Sequence, residues 1–334
     1  MPRPAALLLV ATPDEQAKFL SPSTLAELRA LSPEFRLLDP TGLSPETFAR
    51  ELAAFNPEVL VAGWATLPLP ATLPPRLRYF CYLTGSVKRL VTRAHLESGL
   101  LLTNWGSSIS RTVAECALFH TLACLRLATH WTFTLHRDRG WREGWERTAS
   151  LFQRRVGIHG FGPVAREFLK LVAPFGCPVS VFAPDVDDPV AAQHGVTRAA
   201  SLDALFADND IIIELAPLIP ATIGIVTERH LRLIRAGGVF VNVGRAAIVD
   251  EAALLRVARE GKIAIGLDVF VEEPLPATSG FRGLPNVSLT PHIAGPTLDR
   301  YPDATAFALR NLHAYAAGQP LEAVIAPAIY DSST

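Results

Sequence analysis

The amino-acid sequence predicts an α/β protein built around a doubly wound parallel sheet. Strand-like apolar runs alternate with helical patterns along most of the chain, which is the order of elements that a parallel sheet requires. A glycine-rich turn follows one of these strands and opens a helix. The chain has 334 residues, which is too many for one ordinary core, so we expect two domains.

The composition excludes several classes of protein. With 49% hydrophobic residues, 19% charged residues and a net charge of −1, the chain has no basic excess that would attract nucleic acid or an anionic membrane. Its cysteines form no Cys-x-x-Cys pair and no zinc-ligand spacing; they are Cys81, Cys116, Cys124 and Cys177. We therefore expect a cytoplasmic protein with free thiols, no metal, no nucleic-acid partner and no membrane span.

The periodicity of apolar residues places the strands and helices. In the first hundred residues the strand-like runs are 6–10, 58–62, 78–83 and 100–103. A long helix is predicted over 111–130, and it is apolar on more than one face. A second series of strands follows at 156–159, 179–183, 211–215, 239–243, 263–269 and 287–290, and a last helix at 303–317. No helix or strand is predicted for the segment 131–147.

The glycine-rich turn has the pattern of a dinucleotide-binding motif. It matches Gly-x-Gly-x-x-Ala directly after a strand, and its residues are Gly160, Phe161, Gly162, Pro163, Val164 and Ala165. The glycines permit a tight turn and let the backbone approach a diphosphate, while the proline suits the first turn of a helix. We expect the diphosphate of the cofactor at this helix N-terminus.

The residues after the next strand bear on the choice between NAD and NADP. An acid that binds the ribose hydroxyls usually ends this strand, whereas here Ala183 holds the position and Asp185 follows two residues later. No arginine follows nearby to receive a 2′-phosphate, and Asp185, Asp187 and Asp188 would repel one. The sequence favours NAD with Asp185 at the ribose and leaves NADP open. A plain solvated loop is the alternative interpretation of these acids.

Later motifs place polar residues where apolar strands end. Arg245 follows the strand at 239–243, Asp268 and Glu273 belong to the next motif, and His292 follows the last strand. Ligands of open α/β sheets bind outside the carboxyl ends of the strands. An arginine fork, a histidine proton donor and an orienting acid together suit a reaction on a carbonyl compound that carries a carboxylate.

Taken in order, these motifs resemble those of the D-isomer-specific 2-hydroxyacid dehydrogenase family over nearly the whole chain. Besides the glycine turn, the matching segments are Ala216-Pro217-Leu218, Val243-Gly244-Arg245, Gly266-Leu267-Asp268, Glu273-Pro274 and Thr290-Pro291-His292. The resemblance implies a Rossmann-type nucleotide domain at 105–297. It also implies a smaller, discontinuous, flavodoxin-like substrate domain at 1–104, completed by 298–334.

The resemblance also assigns roles to these residues. His292 is expected to be the general acid/base, oriented by Glu273, with the neighbouring Glu272 as a competitor for that position. Arg245 is expected to bind the substrate carboxylate and keto oxygen. Asp268 would hold the nicotinamide carboxamide or serve as a buried structural acid. The cofactor would also contact Ala216, Pro217, Val243 and Gly244, and the substrate carboxylate would meet the backbone amides of Thr84, Gly85 and Ser86.

The activity implied is reversible hydride transfer between NAD(H) and a small 2-keto or D-2-hydroxy acid, by an oxidoreductase acting on CH–OH groups. A glyoxylate/hydroxypyruvate reductase and a broad 2-keto acid reductase both remain open. An NADH-sensing, corepressor-like scaffold of the same fold is the alternative function. A homodimer is expected, because the family usually pairs through the nucleotide domain and an apolar helix needs a partner.

Overall fold

The structure, a computed structural model, describes residues 4–142 and 148–332. Residues 143–147, at the end of the segment 131–147, lie outside the described residues. The chain divides into two compact units, Met1–Ile109 with Pro296–Thr334, and Ser110–Gly295. We call the first the terminal unit and the second the central unit.

Strands and helices alternate along both units. The N-terminal segment contains β1 Ala6–Val10, α1 Pro13–Phe19, α2 Pro22–Ala30, β2 Glu34–Leu38, α3 Pro45–Phe55, β3 Val59–Ala62, β4 Tyr79–Tyr82, α4 Arg93–Glu97 and β5 Leu101–Thr103. The central unit contains α5 Ser110–Leu125, α6 Ala128–Thr132, β6 Val156–His159, α7 Pro163–Val172, β7 Val179–Phe182, α8 Asp188–His194, β8 Thr197–Arg198, α9 Leu202–Asp208, β9 Ile211–Glu214, α10 Glu228–Leu233, β10 Val239–Asn242, α11 Glu251–Glu260, β11 Ala264–Leu267 and β12 Val287–Leu289. The C-terminal segment adds α12 Tyr301–Ala316 and α13 Pro327–Ser332.

The terminal unit holds a parallel sheet in the order β2-β1-β3-β4-β5. This is the flavodoxin-like order. Strands β1, β3 and β4 are buried along their whole length, as expected for strands whose two faces are both covered. Helices α1, α2 and α3 each begin at a threonine or serine cap followed by proline, the caps being Thr12, Ser21 and Ser44.

The central unit holds a parallel sheet in the order β12-β11-β10-β9-β6-β7-β8. The chain enters the sheet at β6, runs outward to β8, and returns to the other side of β6 at β9. Ligands of such sheets bind at the point where the strand order reverses, which here lies between the carboxyl ends of β6 and β9. The predicted Rossmann-type fold is confirmed.

The predicted helix over 111–130 is wrong at its C-terminal end. Helix α5 ends at Leu125, Leu127 has a φ of 53°, and the short α6 follows. A left-handed residue cannot continue a right-handed helix, so the apolar tract is split. The sequence also missed β2, a partly exposed edge strand, and β8, which has two exposed residues. Among the described residues, no helix combines the length and apolar character needed to cross a membrane.

Candidate active site

Two glycines shape the turn between β6 and α7. Gly160 has a φ of 86°, and a Cβ there would lie 2.6 Å from the Ala216 Cα, so the position requires glycine. Gly162 precedes α7, and a Cβ on it would meet nothing within 4 Å. The N-terminus of this ten-residue helix is thus open to an anionic diphosphate, and the turn fits a dinucleotide. Of the other residues in the turn, Phe161 is buried, Val164 half-buried and Pro163 exposed.

Two further loops pack against this turn. The Leu215 N–H donates to the His159 carbonyl oxygen at 2.9 Å, and the Ala216 N–H donates to a Glu214 carboxylate oxygen at 2.9 Å. A Cβ on Gly244 would lie 3.1 Å from the Glu214 carbonyl oxygen. The ends of β6, β9 and β10 therefore meet closely, and they bring the predicted cofactor-side residues to one edge of the sheet. Of these, Ala216 and Val243 are buried and Pro217 is exposed.

A cavity of about 480 Å³ lies at the carboxyl end of β7, where the ribose-binding acid usually stands. Ala183 and Arg198 line it, and Asp188 pairs with Arg198 at 2.8 Å. Asp185 is exposed in the adjoining loop. The sequence showed no arginine close after Ala183. The structure nevertheless places Arg198 near this position, because β8, which contains Arg198, pairs with β7.

Arg245 follows β10 in a loop held by the side chain of Asn242. The Asn242 carbonyl oxygen accepts from the Gly244 N–H at 3.0 Å, and its amide donates to the Arg245 carbonyl oxygen at 3.1 Å. The Arg245 guanidinium donates to the Gly244 carbonyl oxygen at 2.7 Å. Burial lowers the pKa of Arg245 and the charge of Glu273 opposes this shift, so a partly buried cation lies within the field of that carboxylate.

His292 is paired with Glu273. The distance between His292 Nδ1 and Glu273 Oε2 is 2.7 Å, and the other Glu273 oxygen accepts from the Phe270 N–H at 2.9 Å. The side chains are 49% and 34% exposed, so the pair is open to solvent. His292 itself has a φ of 54°, which is uncommon for a residue with a side chain. Of the two neighbouring acids, Glu273 makes this contact, and Glu272 is exposed.

Asp268 is fully buried and holds the backbone that follows His292. Its Oδ1 accepts from the Ile293 N–H at 2.8 Å, and its Oδ2 accepts from the Ala294 N–H at 2.8 Å. The Thr290 hydroxyl donates to Oδ1 at 2.6 Å. Such bonds let a carboxylate remain buried, and they tie the histidine loop to the end of β11.

The central unit matches the model of a known protein family. Residues 118–294, just over half of the chain, match the NAD-binding domain of the D-isomer specific 2-hydroxyacid dehydrogenases. The chain belongs to this family. It is therefore an oxidoreductase that acts on CH–OH groups with a nicotinamide cofactor, and the family and reaction class predicted from the sequence are confirmed.

Individual relatives agree with this assignment. The glyoxylate/hydroxypyruvate reductase B of Pectobacterium atrosepticum is 30% identical over 261 residues, which cover 76% of this chain and 81% of that protein. The Bacillus subtilis protein YoaD is 36% identical over 149 residues, and the match covers 44% of this chain and only 42% of that protein. A glyoxylate reductase from Paecilomyes thermophila shares the fold, with a TM-score of 0.82 and 22% identity over 96% of this chain and 98% of that one. The corepressor-like alternative is not favoured.

The dehydrogenase carries its predicted carboxylate loop in the terminal unit, directly after β4. Thr84 is buried, Ser86 is exposed, and the Gly85 carbonyl oxygen accepts from the Asn104 amide at 2.9 Å. A Cβ on Gly85 would lie 2.8 Å from the Trp105 ring, so a larger residue would have to displace this ring. Arg245, Glu273 and His292 belong to the central unit.

Sequence reasoning gave no role to His159, treated His120 as a packing or interface residue, and identified the polar partners of neither. His159 and Glu214 form a buried pair, with Nδ1 and Oε2 2.6 Å apart. A histidine and an acid at the ends of two apolar strands were a signal, but only the strand order reveals that β6 and β9 are neighbours. His120 on α5 bonds to Ser288 and Thr290, and no local pattern identifies these partners.

Proposed function

We propose that His292 gives a proton to the keto oxygen of a 2-keto acid during reduction and recovers it during oxidation of the 2-hydroxy acid. The observation that carries this proposal is the 2.7 Å contact between His292 Nδ1 and the Glu273 carboxylate. A carboxylate only accepts, so Nδ1 donates to it and Nε2 is the ring nitrogen left for the substrate. The bound nicotinamide supplies or removes the hydride.

Glu273 is proposed to orient the imidazole and to stabilise its charged form. Its second oxygen is held by the Phe270 N–H, so the carboxylate is itself fixed before substrate binds. A fixed anion beside a histidine favours the imidazolium, which is the form that donates a proton. The half-exposed ring of His292 remains accessible to an incoming substrate.

Arg245 is proposed to bind the substrate carboxylate and keto oxygen. Its guanidinium is planar and carries several N–H donors, so it can hold two oxygens while Nη1 also bonds the Gly244 carbonyl. Partial burial strengthens a charge-assisted hydrogen bond, because less water competes for it. Arg245→Lys should therefore lose most activity, since an ammonium cannot make the same planar contact.

The remaining site residues are proposed for cofactor and substrate binding. Asp268 Oδ2 accepts one backbone N–H, and a carboxylate oxygen can accept a second donor, such as the nicotinamide carboxamide. Residues 1–104 and 298–334 are proposed as the substrate domain. Its loop Thr84-Gly85-Ser86 follows the carboxyl end of β4, which is the side on which parallel sheets bind ligands.

A small 2-keto acid of D-stereochemistry is the proposed substrate. The Pectobacterium relative is named for glyoxylate and hydroxypyruvate, which makes these the first candidates. The test is steady-state oxidation of NADH with glyoxylate, hydroxypyruvate, pyruvate and phenylpyruvate, with Arg245→Lys beside wild type. Turnover of at least one acid, lost in the variant, is expected. No turnover of any acid, or full activity in the variant, would contradict the proposal.

We propose NAD(H) rather than NADP(H) as the cofactor. Arg198 is the cation that lines the cavity beside Ala183, but Asp188 already holds its guanidinium at 2.8 Å. A 2′-phosphate would have to displace this carboxylate, with the exposed Asp185 close in sequence. Equilibrium titration of NADH and NADPH should show tighter NADH binding in wild type and improved NADPH binding in Asp188→Asn. Tighter NADPH binding by wild type would overturn the proposal.

We also propose a homodimer that pairs through α5. Ala114 and Ala117 face the core of the central unit, whereas Phe119 on the same helix is 53% exposed. An exposed aromatic on a helix with an otherwise buried apolar face suits an interface with a second copy. Light scattering should give the mass of a dimer for wild type and of a monomer for Phe119→Asp. A monomeric wild type would contradict the proposal.

A further inference from the structure

His120 is a buried histidine to which the proposed reaction gives no role. It lies on α5 with no exposed surface and faces the end of the sheet at β12. Its Nε2 is 2.8 Å from the Thr290 hydroxyl oxygen, and its Nδ1 is 3.0 Å from the Ser288 hydroxyl oxygen. Both ring nitrogens are therefore engaged.

The hydrogen bonds and the burial of this ring together define its protonation state. The Thr290 hydroxyl donates its proton to Asp268 Oδ1 at 2.6 Å, so it can only accept from His120 Nε2–H. Nε2 therefore carries a proton. Burial lowers the pKa of His120 to about 4, so the ring is neutral near pH 7. In a neutral ring with its proton on Nε2, Nδ1 accepts from the Ser288 hydroxyl.

The chain of bonds continues from His120 to the backbone beside His292. Asp268 receives the Thr290 hydroxyl on one oxygen and, on its two oxygens, the N–H groups of Ile293 and Ala294. His292 immediately precedes them and has a φ of 54°. A residue in this conformation costs energy and persists only where its neighbours hold it.

The packing leaves the imidazole little freedom. A Cβ on Gly266, in β11, would lie 2.6 Å from the Cβ of His120, so helix and strand are in close contact. A close contact of this kind fixes the position from which His120 reaches Thr290. The donor is thus supplied from a rigid helix rather than from a loop.

We propose that His120 is a positioning residue, which acts through Thr290 and Asp268 to hold the backbone that presents His292. The proposal rests on the proposed role of His292 as proton donor. Loss of the Nε2–H donor frees the Thr290 hydroxyl to rotate away from Asp268. The carboxylate then loses a partner, and the backbone at Ile293 and Ala294 loses its fixed anchor.

Cys116, His120 and Asp268 form a cluster of possible metal ligands, but their hydrogen bonds do not suit a metal site. The sulfur of Cys116 lies near His120 and Asp268, with their ligand atoms within 4.8 Å of one another. However, the Asp268 oxygens accept three donors, and His120 Nε2 carries the proton that Thr290 accepts. Burial also raises the pKa of Cys116 to about 12, which keeps the thiol protonated.

The experiment compares substitutions along this chain. His120→Leu removes the donor, His120→Gln restores an N–H near the position of Nε2, and Thr290→Val removes the relaying hydroxyl. Thr121→Val is the matched control, because the buried Thr121 hydroxyl bonds only the Ala117 carbonyl oxygen within α5 among the contacts described. The readouts are kcat and KM for 2-keto acid reduction, and the imidazole NMR signal of His292, assigned with His292→Asn.

We expect kcat to fall roughly 10- to 100-fold in His120→Leu and Thr290→Val, with KM little changed, since a small displacement of a catalytic group has effects of this size. The double variant His120→Leu/Thr290→Val should have a kcat no lower than that of either single variant, because both substitutions break the same chain of hydrogen bonds. His120→Gln should recover most of kcat, and Thr121→Val should match wild type. The His292 signal should shift in His120→Leu and Thr290→Val only.

Other results would overturn the inference. If His120→Leu keeps wild-type kcat and an unmoved His292 signal, His120 does not position His292. If His120→Gln is as impaired as His120→Leu, the ring acts by packing. Should wild type reduce no 2-keto acid, the proposed function fails, while the His292 signal still decides whether His120 controls that loop.

Discussion

Two histidine–glutamate pairs lie at the carboxyl edge of the central sheet, alike in geometry and different in exposure. His159 and Glu214 face each other across neighbouring strands, 2.6 Å apart, with side chains 5% and 0% exposed. His292 and Glu273 are 2.7 Å apart, with side chains 49% and 34% exposed. Because the pairing distances are nearly equal, any difference in behaviour between the pairs should come from their difference in exposure.

Both glutamates use their second oxygen in the same way. Glu214 accepts the Ala216 N–H and Glu273 accepts the Phe270 N–H, each at 2.9 Å. Each pair therefore holds a loop in place. The buried pair ties β6 to β9 and to the loop beside the glycine turn, whereas only the exposed pair is open to an incoming substrate. The exposure of His292, rather than the pairing itself, supports the proposal that it exchanges a proton with the substrate.

The largest effect is expected when the same substitution is made in both histidines. Asparagine tolerates a left-handed backbone and keeps a donor near Nδ1, so both glutamates retain a partner. His292→Asn should lower kcat by about 10³-fold, because the acid/base nitrogen is lost. His159→Asn should stay within about threefold of wild type, since no proton transfer depends on it. If steady-state reduction assays show the same loss of kcat in both variants, exposure does not distinguish the roles of the two pairs.

Stability should respond in the opposite order. Glu214→Ala leaves a buried imidazole and the Ala216 N–H without their partner, and should lower the free energy of unfolding by about 3 kcal/mol. In Glu273→Ala, water can replace the lost carboxylate at its former partners, so the free energy of unfolding should fall by less than about 1 kcal/mol. Urea denaturation of the two variants measures this difference. A Glu214→Ala protein as stable as wild type would show that the buried pair does not stabilise the fold.

His120 extends the comparison to a buried histidine whose partners are hydroxyls. Burial lowers its pKa to about 4, below the value of an unfolded chain. The unfolded state therefore binds the extra proton first, and stability falls as pH decreases through the interval between the two values. Between pH 7 and about 4.5 this should cost wild type about 2 kcal/mol that His120→Gln does not lose. Parallel pH dependences of unfolding in the two proteins would contradict the assignment of a neutral, buried ring.

Much of the central unit could be predicted because its signals are local. The apolar runs marked most of the strands, and the glycine turn, Arg245 and His292 were found from motifs a few residues long. The break at Leu127 was missed because a left-handed leucine has no local signature. Strand β8 was missed because two exposed residues form no pattern.

The contacts that could not be predicted join segments distant in sequence. Glu214 meets His159 only because β9 returns beside β6, and Arg198 reaches the cavity at Ala183 only because β8 pairs with β7. His120 meets Thr290 across 170 residues. Local periodicity determines which residues are buried, whereas strand order and helix packing determine which buried polar groups become partners.

The most direct test of the exposed dyad is kcat for 2-keto acid reduction in wild type, Glu273→Gln and Glu272→Gln. Glu273→Gln nearly keeps the shape of the side chain but removes the charged partner of His292 Nδ1, so kcat should fall at least about 10-fold. Glu272→Gln changes the exposed neighbouring acid and should leave kcat close to that of wild type. A loss of kcat in Glu272→Gln and not in Glu273→Gln would contradict the account.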